Sequence, residues 1–516
     1  AGDADFKQYA VAEAIGHYTH ALEHARELGP DLPTSNWQHL GLQLGRALEL
    51  DARYAEALAV YDELEALARQ RAEEPLELAV LLESARLYCT PNPAFNPGRG
   101  AEYAGRALSL SQRLGDRAAE ARVHWVLSLL YWLINQPDTA LENGEISLKL
   151  ARELNLREQL AFTLHDLTRP LMLVHRQREA MAGLDESRRL WRELNNLPML
   201  ADNLNTTADI YGQLRQPERE LEYAAEAYEL SRTIGNLWNQ AFSRGLMGEA
   251  QQMLGHYPES ILALRESLEV SKQAGLGILA RRVLFELGWL LACLGDTDAA
   301  RRVLFENQDQ FGPQEGYVPF MVPSLGWLLL ADIEILAGQV RVAEDDLRQA
   351  EALLPAEAEG RLPAALNSTR AQLAVIHNDE PAARQAVAAL PEAIAQAHAS
   401  SVDRTWLAYF YQTLAQTRLW LNELDSAAAE VEQGLALLPP PLHPAARRPL
   451  ELLMAQVEAC RGNAEAAAGW QAAAQTSARQ ALEVLASNPD LQRRYLALVQ
   501  PATDGAAPDA AAGSGC

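Results

Sequence analysis

The sequence predicts an all-α protein, an α-solenoid of about eleven helix-turn-helix pairs. Three series of residues recur every forty positions across the middle of the 516-residue chain. Small residues form the first series, at Ser128, Thr168, Ala208, Gly248 and Gly288. The second, at Ala140, Ala180, Glu220, Ser260 and Ala300, is small except at Glu220, and the third, at Ile134, Val174, Leu214, Leu254 and Leu294, is apolar throughout. Because one helical hairpin cannot bury its apolar face alone, this period indicates a stack of repeated units.

Turn-forming residues divide each repeat into two helices. Each repeat closes on glycine or asparagine, the residues that favour a left-handed helix C-cap, at Gly115, Asn155, Asn195, Gly235 and Gly275. A second break falls halfway along the repeat, at Gln136-Pro137, Gln216-Pro217, Gly255-His256 and Gly295-Asp296. Between the breaks, apolar residues follow the helical period of about 3.6. Each repeat is therefore predicted to be helix, turn, helix.

The repeat continues toward both ends of the chain with less regular spacing. Small residues recur at Ala331, Ala371, Ala415 and Ala455, 40 to 44 positions apart. Toward the N-terminus, 51–58 and 98–108 are typical of second-helix openings and follow a single leading helix at 6–28. We expect one superhelical domain over 1–500, with loops at 89–98 and 439–444, and a disordered low-complexity tail at 501–516.

The composition argues against several classes of function. The 69 acidic and 44 basic residues give a net charge of −25, which repels phosphate backbones and argues against direct nucleic-acid binding. No apolar run reaches the roughly 18 residues that span a bilayer, so no membrane association is expected. Four separated cysteines form no CxxC pair, which argues against a zinc site and fits a reducing cytoplasm.

The segment 234–275, IGNLWNQAFSRGLMGEAQQMLGHYPESILALRESLEVSKQAG, resembles tetratricopeptide repeats of the longer, roughly forty-residue kind. It has the central small residue, the G-x-Y turn and the small residue that opens the second helix. The array as a whole is similar to the C-terminal sensor domains of bacterial STAND-class signal-transduction ATPases. That resemblance implies a nucleotide-binding module N-terminal to the array. This chain carries no G-x-x-x-x-G-K-[ST] motif, so no ATPase and no cofactor is assigned to it.

In tetratricopeptide superhelices the first helix of each pair lines the concave groove, on a face about 80° from the central small residue at ~100° per residue. Here that face has an aromatic and arginine zone, an acidic and amide zone, and a second aromatic and arginine zone. The candidate ligand-binding residues are Arg122, Trp125, Trp132, Phe162, His165, Arg169, Asp202, Asn205, Asp209, Gly212, Phe242, Gly245, Glu249, Gln252, Arg282, Phe285 and Trp289. Aromatic walls with a few polar groups suit a small molecule or a peptide. We expect the recognition site near 160–290.

The same residues also have plainer interpretations. A glycine inside a helix costs about 1 kcal/mol relative to alanine, so Gly212 and Gly245 indicate close approach of a ligand, close helix packing, or mere tolerance. The tryptophans of this face are equally consistent with packing between repeats. Arg169 beside Asp202 or Asp209 is consistent with an ion pair between neighbouring repeats, worth little at a surface.

The sequence offers no starting point for catalysis or for a metal site. His17, His20 and His24 lie at i, i+3 and i+7, but no third ligand is arranged beside them, which favours a solvated helix face over a metal site. HExxH, G-x-S-x-G and Cys-His signatures are absent. We therefore expect a protein that is not an enzyme and needs no metal.

Two functions remain open from the sequence. The first is a sensor whose groove binds a small-molecule inducer or a protein segment and thereby controls an attached STAND-type ATPase. The second is a free-standing scaffold that clamps a peptide of a partner protein. The coding sequence upstream of Ala1 separates them, because a Walker A motif there supports the sensor and a start codon supports the scaffold. The sequence leaves the ligand and the oligomeric state open.

Overall fold

The computed structural model describes residues 1–7, 10–29, 32–51, 53–307, 323–354, 361–399, 404–440 and 442–500. The regular structure within these ranges is entirely helical, which confirms the all-α prediction. The tail at 501–516, expected to be disordered, lies outside the described residues. In the described part of the chain, no helix combines the length and the apolar character needed to cross a membrane.

Eleven helix pairs occur within the described ranges, preceded by two helices and followed by one. The two leading helices are α1 (Gly2–Lys7) and α2 (Val11–Leu28). The pairs are α3 (Thr34–Leu50) with α4 (Tyr54–Arg71), α5 (Glu74–Tyr88) with α6 (Pro97–Leu114), α7 (Arg117–Leu133) with α8 (Pro137–Glu153), α9 and α10 (Arg157–Asp166 and Thr168–Leu173) with α11 (Gln177–Glu193), α12 (Leu197–Gln213) with α13 (Pro217–Thr233), α14 (Leu237–Met253) with α15 (Tyr257–Gln273), α16 (Gly277–Cys293) with α17 (Thr297–Phe305), α18 (Pro323–Leu336) with α19 (Val340–Ala352), α20 (Leu362–Ile376) with α21 (Glu380–Ala399), α22 (Arg404–Trp420) with α23 (Leu424–Leu437), and α24 (Pro444–Cys460) with α25 (Ala464–Val484). A 3-10 turn at Leu485–Ser487 leads into α26 (Pro489–Val499).

Two sequence predictions about helix continuity were wrong. The expected single helix at 6–28 consists of α1 and α2, and Ala10 precedes α2 in a non-helical conformation. The first helix of the fourth pair is also divided, at Leu167 between α9 and α10. Pro170 explains this break, because it has no N–H to donate to the Asp166 carbonyl and its ring crowds that turn of the helix.

The chain clusters into two compact units. The first contains Ala1–Asn203 and Leu230–Asn236. The second contains Leu204–Glu229 and, among the described residues, the chain from Leu237 onward. The expectation of one domain over 1–500 stays a prediction.

The forty-residue period is present in the backbone. Left-handed residues close the repeats at Gly115, Asn155, Asn195, Gly235 and Gly275, with φ between +52° and +69°. Left-handed residues also mark the halfway turns, at Asn135, His175, Arg215, Gly255 and Gly295. The turn thus falls one residue before the predicted Gln-Pro pairs, since each proline is used as the first residue of the following helix.

The small-residue series marks where the two helices of a pair approach most closely. The Ser128 hydroxyl donates to the Ala140 carbonyl at 2.7 Å, and the Ser260 hydroxyl donates to the Gly248 carbonyl at 2.7 Å. A Cβ added to Gly248 would lie 2.7 Å from Cγ of Leu264, closer than packed carbon atoms come. Larger residues in this series would force the paired helices apart.

Candidate functional site

Three aromatic rings in contact connect helices α7, α9 and α11 of the first unit. The Trp125 ring of α7 lies 5.2 Å from the Phe162 ring of α9, and Phe162 meets Trp191 of α11 edge-on at 4.8 Å. Trp125 and Trp191 are buried, whereas Phe162 is half-buried. These ring pairs hold α7, α9 and α11 together, so most of this stack is core.

Two polar side chains lie beside the stack, on consecutive residues of α9. The Trp125 indole N–H donates to Oδ2 of Asp166 at 2.6 Å. Burial raises the pKa of Asp166 above its ordinary value, although the indole hydrogen bond and nearby His165 oppose the shift. His165 is itself buried, with Nε2 at 3.7 Å from Oδ2 of Asp202 on α12. The carboxylates of Asp166 and Asp202 therefore flank one imidazole.

Arg169, on α10, is the exposed cation of this face. Its guanidinium lies 5.1 Å from the centre of the Trp132 ring of α7, and the Trp132 side chain is half-buried. Within the described ranges, no carboxylate forms an ion pair with Arg169. A cation over an indole gains roughly 0.5–1 kcal/mol at an exposed site, and its hydrogen-bond donors stay available to an anion.

The next arginine on this face, Arg122 of α7, is neutralised by the protein itself. Its guanidinium donates to Oε1 of buried Glu83 on α5 at 2.6 Å. Glu83 also pairs with Arg86 at 3.0 Å, and Arg86 with Glu49 of α3 at 2.5 Å. Burial of Glu83 disfavours its charge, but the neighbouring arginines outweigh burial and hold its pKa at about 2. This ladder of charges ties α3, α5 and α7 together.

A closed triad of charges lies on first helices of the second unit. Arg282 of α16 makes two hydrogen bonds to Glu249 of α14, at 2.9 and 2.7 Å, and one to Asp209 of α12 at 3.2 Å. Its guanidinium also lies 5.6 Å from the centre of the Phe242 ring. Burial opposes the charge of Arg282, but Glu249 and Asp209 outweigh burial and raise its pKa well above the ordinary value. The three side chains are half-buried, and the charge of Arg282 is matched by the two carboxylates that it contacts.

The amide predicted for the groove is used inside the second unit. Asn205 of α12 is fully buried, and its side-chain oxygen accepts a hydrogen bond from the Ser243 hydroxyl at 2.7 Å. Its side-chain nitrogen donates to Oδ1 of Asn239 at 3.3 Å. An unpartnered buried amide costs free energy. The hydrogen bonds of Asn205 to Asn239 and Ser243 avoid that cost and join α12 to α14, so this amide has a structural role.

The two mid-helix glycines differ in how closely neighbouring helices approach them. A Cβ added to Gly212 would lie 2.8 Å from the carboxyl group of buried Glu220 on α13. A Cβ added to Gly245 would lie 3.4 Å from Val283 and 3.5 Å from Ser267, which is ordinary contact. A side chain at position 212 would therefore have to displace the Glu220 carboxyl group, while position 245 has room for alanine.

The structure buries about half of the predicted groove residues, contrary to the exposure expected of them. Phe285 is 1% exposed, and Trp289 is 4% exposed and stacks on Trp406 at 5.0 Å. The buried members are Trp125, His165, Asn205, Phe242, Gly245, Gln252, Phe285 and Trp289. The exposed or half-buried members are Arg122, Trp132, Phe162, Arg169, Asp202, Asp209, Gly212, Glu249 and Arg282. Their role in ligand binding stays a prediction.

Three residues of this region were missed by the sequence analysis. Asp166 lies one position from His165, just outside the face that was computed, and Glu83 and Trp191 lie outside the series used to place that face. The sequence did contain a signal for Asp166. In HDLTRP (165–170), Pro170 interrupts the helix at the turn that Asp166 begins, so a break beside Asp166 could have been expected. The partners of Glu83 and Trp191 become visible only in the packed structure.

The histidines of α2 make local contacts. The Nδ1 atom of His17 lies 2.8 Å from Oδ2 of Asp5, and that of His24 lies 3.1 Å from Glu27. Across the described residues, no group of three or more histidine, cysteine or acidic side chains is placed to hold a metal ion.

Solved structures resemble this chain, whereas no protein-family model and no curated protein matches it. A Rap protein complexed with competence and sporulation factor superposes with a TM-score of 0.50 at 13% identity, covering 78% of this chain and 97% of that chain. NprR in complex with its cognate peptide NprX gives 0.44 at 13% identity, covering 70% and 97%. A STAND protein with a tetratricopeptide repeat sensor, from Pyrococcus horikoshii, gives 0.44 at 13% identity, covering 65% and 52%.

At such identities a structural likeness defines the fold and leaves the function open. The helix pairs, the left-handed turns every half-repeat and the small-residue contacts all agree with that likeness. The chain therefore has the fold of a tetratricopeptide-like α-solenoid.

Proposed function

We propose that this chain is a ligand-sensing domain and that its ligand binds the first-helix face of the first unit, around Trp132 and Arg169. The observation that carries the proposal is the exposed guanidinium of Arg169, which lies over an indole and has no ion-pair partner among the described residues. On the same face, Arg122 is already neutralised by Glu83. Among the described residues, Arg169 is thus an arginine of this face that lacks an ion-pair partner, unlike Arg122.

The chemistry of the face favours a ligand with an anionic group and an apolar or aromatic part. A guanidinium binds a carboxylate or phosphate through two parallel hydrogen bonds, while Trp132 and half-buried Phe162 offer apolar surface beside it. Peptides and small metabolites both carry such groups. The structurally similar Rap protein, which was solved in complex with competence and sporulation factor, supports a ligand-binding role for this chain.

The wider role we propose is that of the sensor of a STAND-type signalling ATPase whose nucleotide-binding module is encoded upstream. The absence of a Walker A motif from this sequence is consistent with a sensor that acts on a separate module. A scaffold that clamps a partner peptide would use the same face. The upstream coding sequence distinguishes these two roles without affecting the proposed site.

The test is native mass spectrometry of the chain after exposure to a lysate of its host. We would compare the wild type with Arg169→Glu, and use Arg189→Glu as the matched control, because Arg189 is an exposed arginine on the second helix α11. The proposal expects a bound species on the wild type and on Arg189→Glu that is lost from Arg169→Glu. A mass of a few hundred daltons identifies a small molecule, and a fragmentable chain identifies a peptide.

Equal binding to all three proteins would contradict the proposed site. Loss from both variants would also contradict it, because the effect would then follow net charge rather than position. Circular dichroism of each variant would check that its helical content is unchanged.

A further inference from the structure

In the second unit, helices far apart in sequence contact one another. The repeats of a simple solenoid contact only their neighbours. Here the backbone N–H of His443 donates to the Met253 carbonyl at 3.0 Å. The backbone N–H of Ala445, at the start of α24, donates to the hydroxyl of Tyr257 at 2.9 Å across a separation of 188 residues.

The halfway turns of two repeats form the receiving surface. Gly255, at φ +81°, approaches the Pro444 ring, so that an added Cβ would lie 3.3 Å from Cγ of that proline. Gly295, also at φ +81°, approaches α26 in the same way, with an added Cβ 3.1 Å from the Arg494 carbonyl oxygen. These glycines satisfy the left-handed turn and leave room for α24 and α26.

A charged pair and an apolar cluster complete the contact. Arg494 of α26 pairs with Asp296 at 3.0 Å, and Asp296 also caps α17 through the Ala299 N–H at 3.1 Å. Beneath this pair, Tyr257 and Tyr495 are almost fully buried in one hydrophobic cluster. The Cys293 side chain packs against the same cluster.

We propose that α24 and α26 form a latch that closes the second unit over the turns at Gly255 and Gly295. The latch consists of the hydrogen bonds to Met253 and Tyr257, the Arg494–Asp296 pair and the apolar cluster beneath them. Neighbouring repeats of a solenoid can rotate by small amounts, whereas these contacts are either made or broken. The second unit therefore has a latched and an open state, and a change in the arrangement of its repeats requires the latch to open.

Cys293 reports on the latch, because its half-buried side chain packs against the same cluster. Burial raises the pKa of the Cys293 thiol to about 12, and burial likewise raises that of Cys89, in the first unit, to about 12. Both thiols are reduced, and both should react slowly with alkylating agents while covered. Cys89 is thus an internal control that the latch does not touch.

The experiment measures the alkylation rate of each cysteine by iodoacetamide in the full chain, resolved by peptide mass spectrometry. Arg494→Glu places a carboxylate opposite Asp296. Arg493→Glu is the matched control, because the exposed Arg493 side chain pairs with exposed Asp490 of the same helix. We expect Arg494→Glu to raise the Cys293 rate by about tenfold through more frequent opening. The Cys89 rate, and both rates in Arg493→Glu, should stay as in the wild type.

Hydrogen exchange gives a second readout that needs no charge reversal. Tyr257→Phe removes the acceptor of the Ala445 N–H, so hydrogen exchange at the start of α24 should accelerate. Tyr61→Phe is the control, because it removes a tyrosine hydroxyl in the first unit. It should leave exchange at the start of α24 unchanged. The latch is refuted if Cys293 is alkylated at the same rate in Arg494→Glu and Arg493→Glu. It is refuted equally by fast alkylation of wild-type Cys293 or by unchanged exchange at Ala445 in Tyr257→Phe.

Discussion

Each unit of the protein carries an arginine over an aromatic ring on its first helices, and the two differ in what else the arginine touches. Arg169 lies 5.1 Å from Trp132 in the first unit, and Arg282 lies 5.6 Å from Phe242 in the second. Arg282 is held by the carboxylates of Glu249 and Asp209. Arg169 has no such partner among the residues that the structure describes.

The comparison shows that facing the groove and being available to a ligand are separate properties. Both arginines occupy the face predicted from the repeat, but within the described residues only Arg282 of the two forms ion pairs. Breaking a half-buried ion pair removes a direct counter-charge from a carboxylate, whereas removing exposed Arg169 loses only its contact with the Trp132 ring and a weak attraction to Asp166. The two sites should therefore respond differently to the same substitutions.

The largest difference is expected for alanine at the two arginines. Arg282→Ala removes the guanidinium that pairs with Glu249 and Asp209, and should lower the free energy of unfolding by about 2 kcal/mol. Arg169→Ala should lower it by at most about 1 kcal/mol, the value of an exposed cation over an indole. Urea unfolding followed by circular dichroism measures both, and similar losses in the two variants would mean that Arg169 is also structural.

The pH dependence of two buried carboxyl groups should differ in sign between the units. The pKa of Glu83 is held at about 2 by Arg86 and Arg122 against the cost of burial. Folding therefore favours its charged form, and its contribution to stability is present above its ordinary pKa of 4.5 and lost as the pH falls through about 2.

Asp346, on α19 in the second unit, should behave in the opposite way. Burial, together with the like charges of Glu334 and Asp345, raises its pKa to about 7, although Arg301 opposes the shift. Folding favours its neutral form, so its contribution is present below the ordinary pKa of 3.8 and lost as the pH rises through about 7.

Denaturant unfolding of Glu83→Gln and Asp346→Asn between about pH 3 and pH 8 would test both signs, because ordinary carboxyl pKa values of about 4 lie within this range. Relative to wild type, Asp346→Asn should become progressively more stable as the pH rises. Glu83→Gln should be less stable than wild type at neutral pH, and this deficit should shrink as the pH falls below the ordinary pKa of Glu83. A pH-independent difference for Asp346→Asn would show that its carboxyl group is charged in the folded protein.

A smaller effect should separate the two mid-helix glycines. Gly212→Ala forces the new Cβ against the carboxyl group of Glu220 and should cost about 1 kcal/mol. Gly245→Ala meets only ordinary contacts and should stabilise α14 by up to about 1 kcal/mol through helix propensity. Thermal unfolding of the pair gives the sign, and equal destabilisation would mean that position 245 is as tightly packed as position 212.

The sequence predicted the repeat well because small residues and turn residues act locally. A Cβ at Gly248 collides with its own hairpin, and Gly235 takes a left-handed conformation whatever lies beyond it. The break at Leu167 could also have been predicted, since Pro170 removes a helical hydrogen bond. The position of the halfway turns was accordingly correct to about one residue.

The exposure of the predicted site could not be obtained in the same way. An angle around a helix gives a direction, but neighbouring helices determine whether that direction ends in solvent. Trp289 points along the predicted face and is covered by Trp406, 117 positions away, and Tyr257 meets α24 across 188 residues. Such partners belong to no repeat period, so periodicity alone does not reveal them.

The most direct test of a ligand site at Arg169 uses the ligand identified by native mass spectrometry. Its affinity would be measured for Arg169→Ala and for Arg282→Ala. Isothermal titration calorimetry would be run well below the melting temperature of either variant. We expect Arg169→Ala to bind the ligand at least about tenfold more weakly than wild type, because one charged hydrogen-bonding group is lost. We expect Arg282→Ala to bind it with wild-type affinity. Wild-type affinity in Arg169→Ala with a loss in Arg282→Ala would contradict the account and place the site in the second unit.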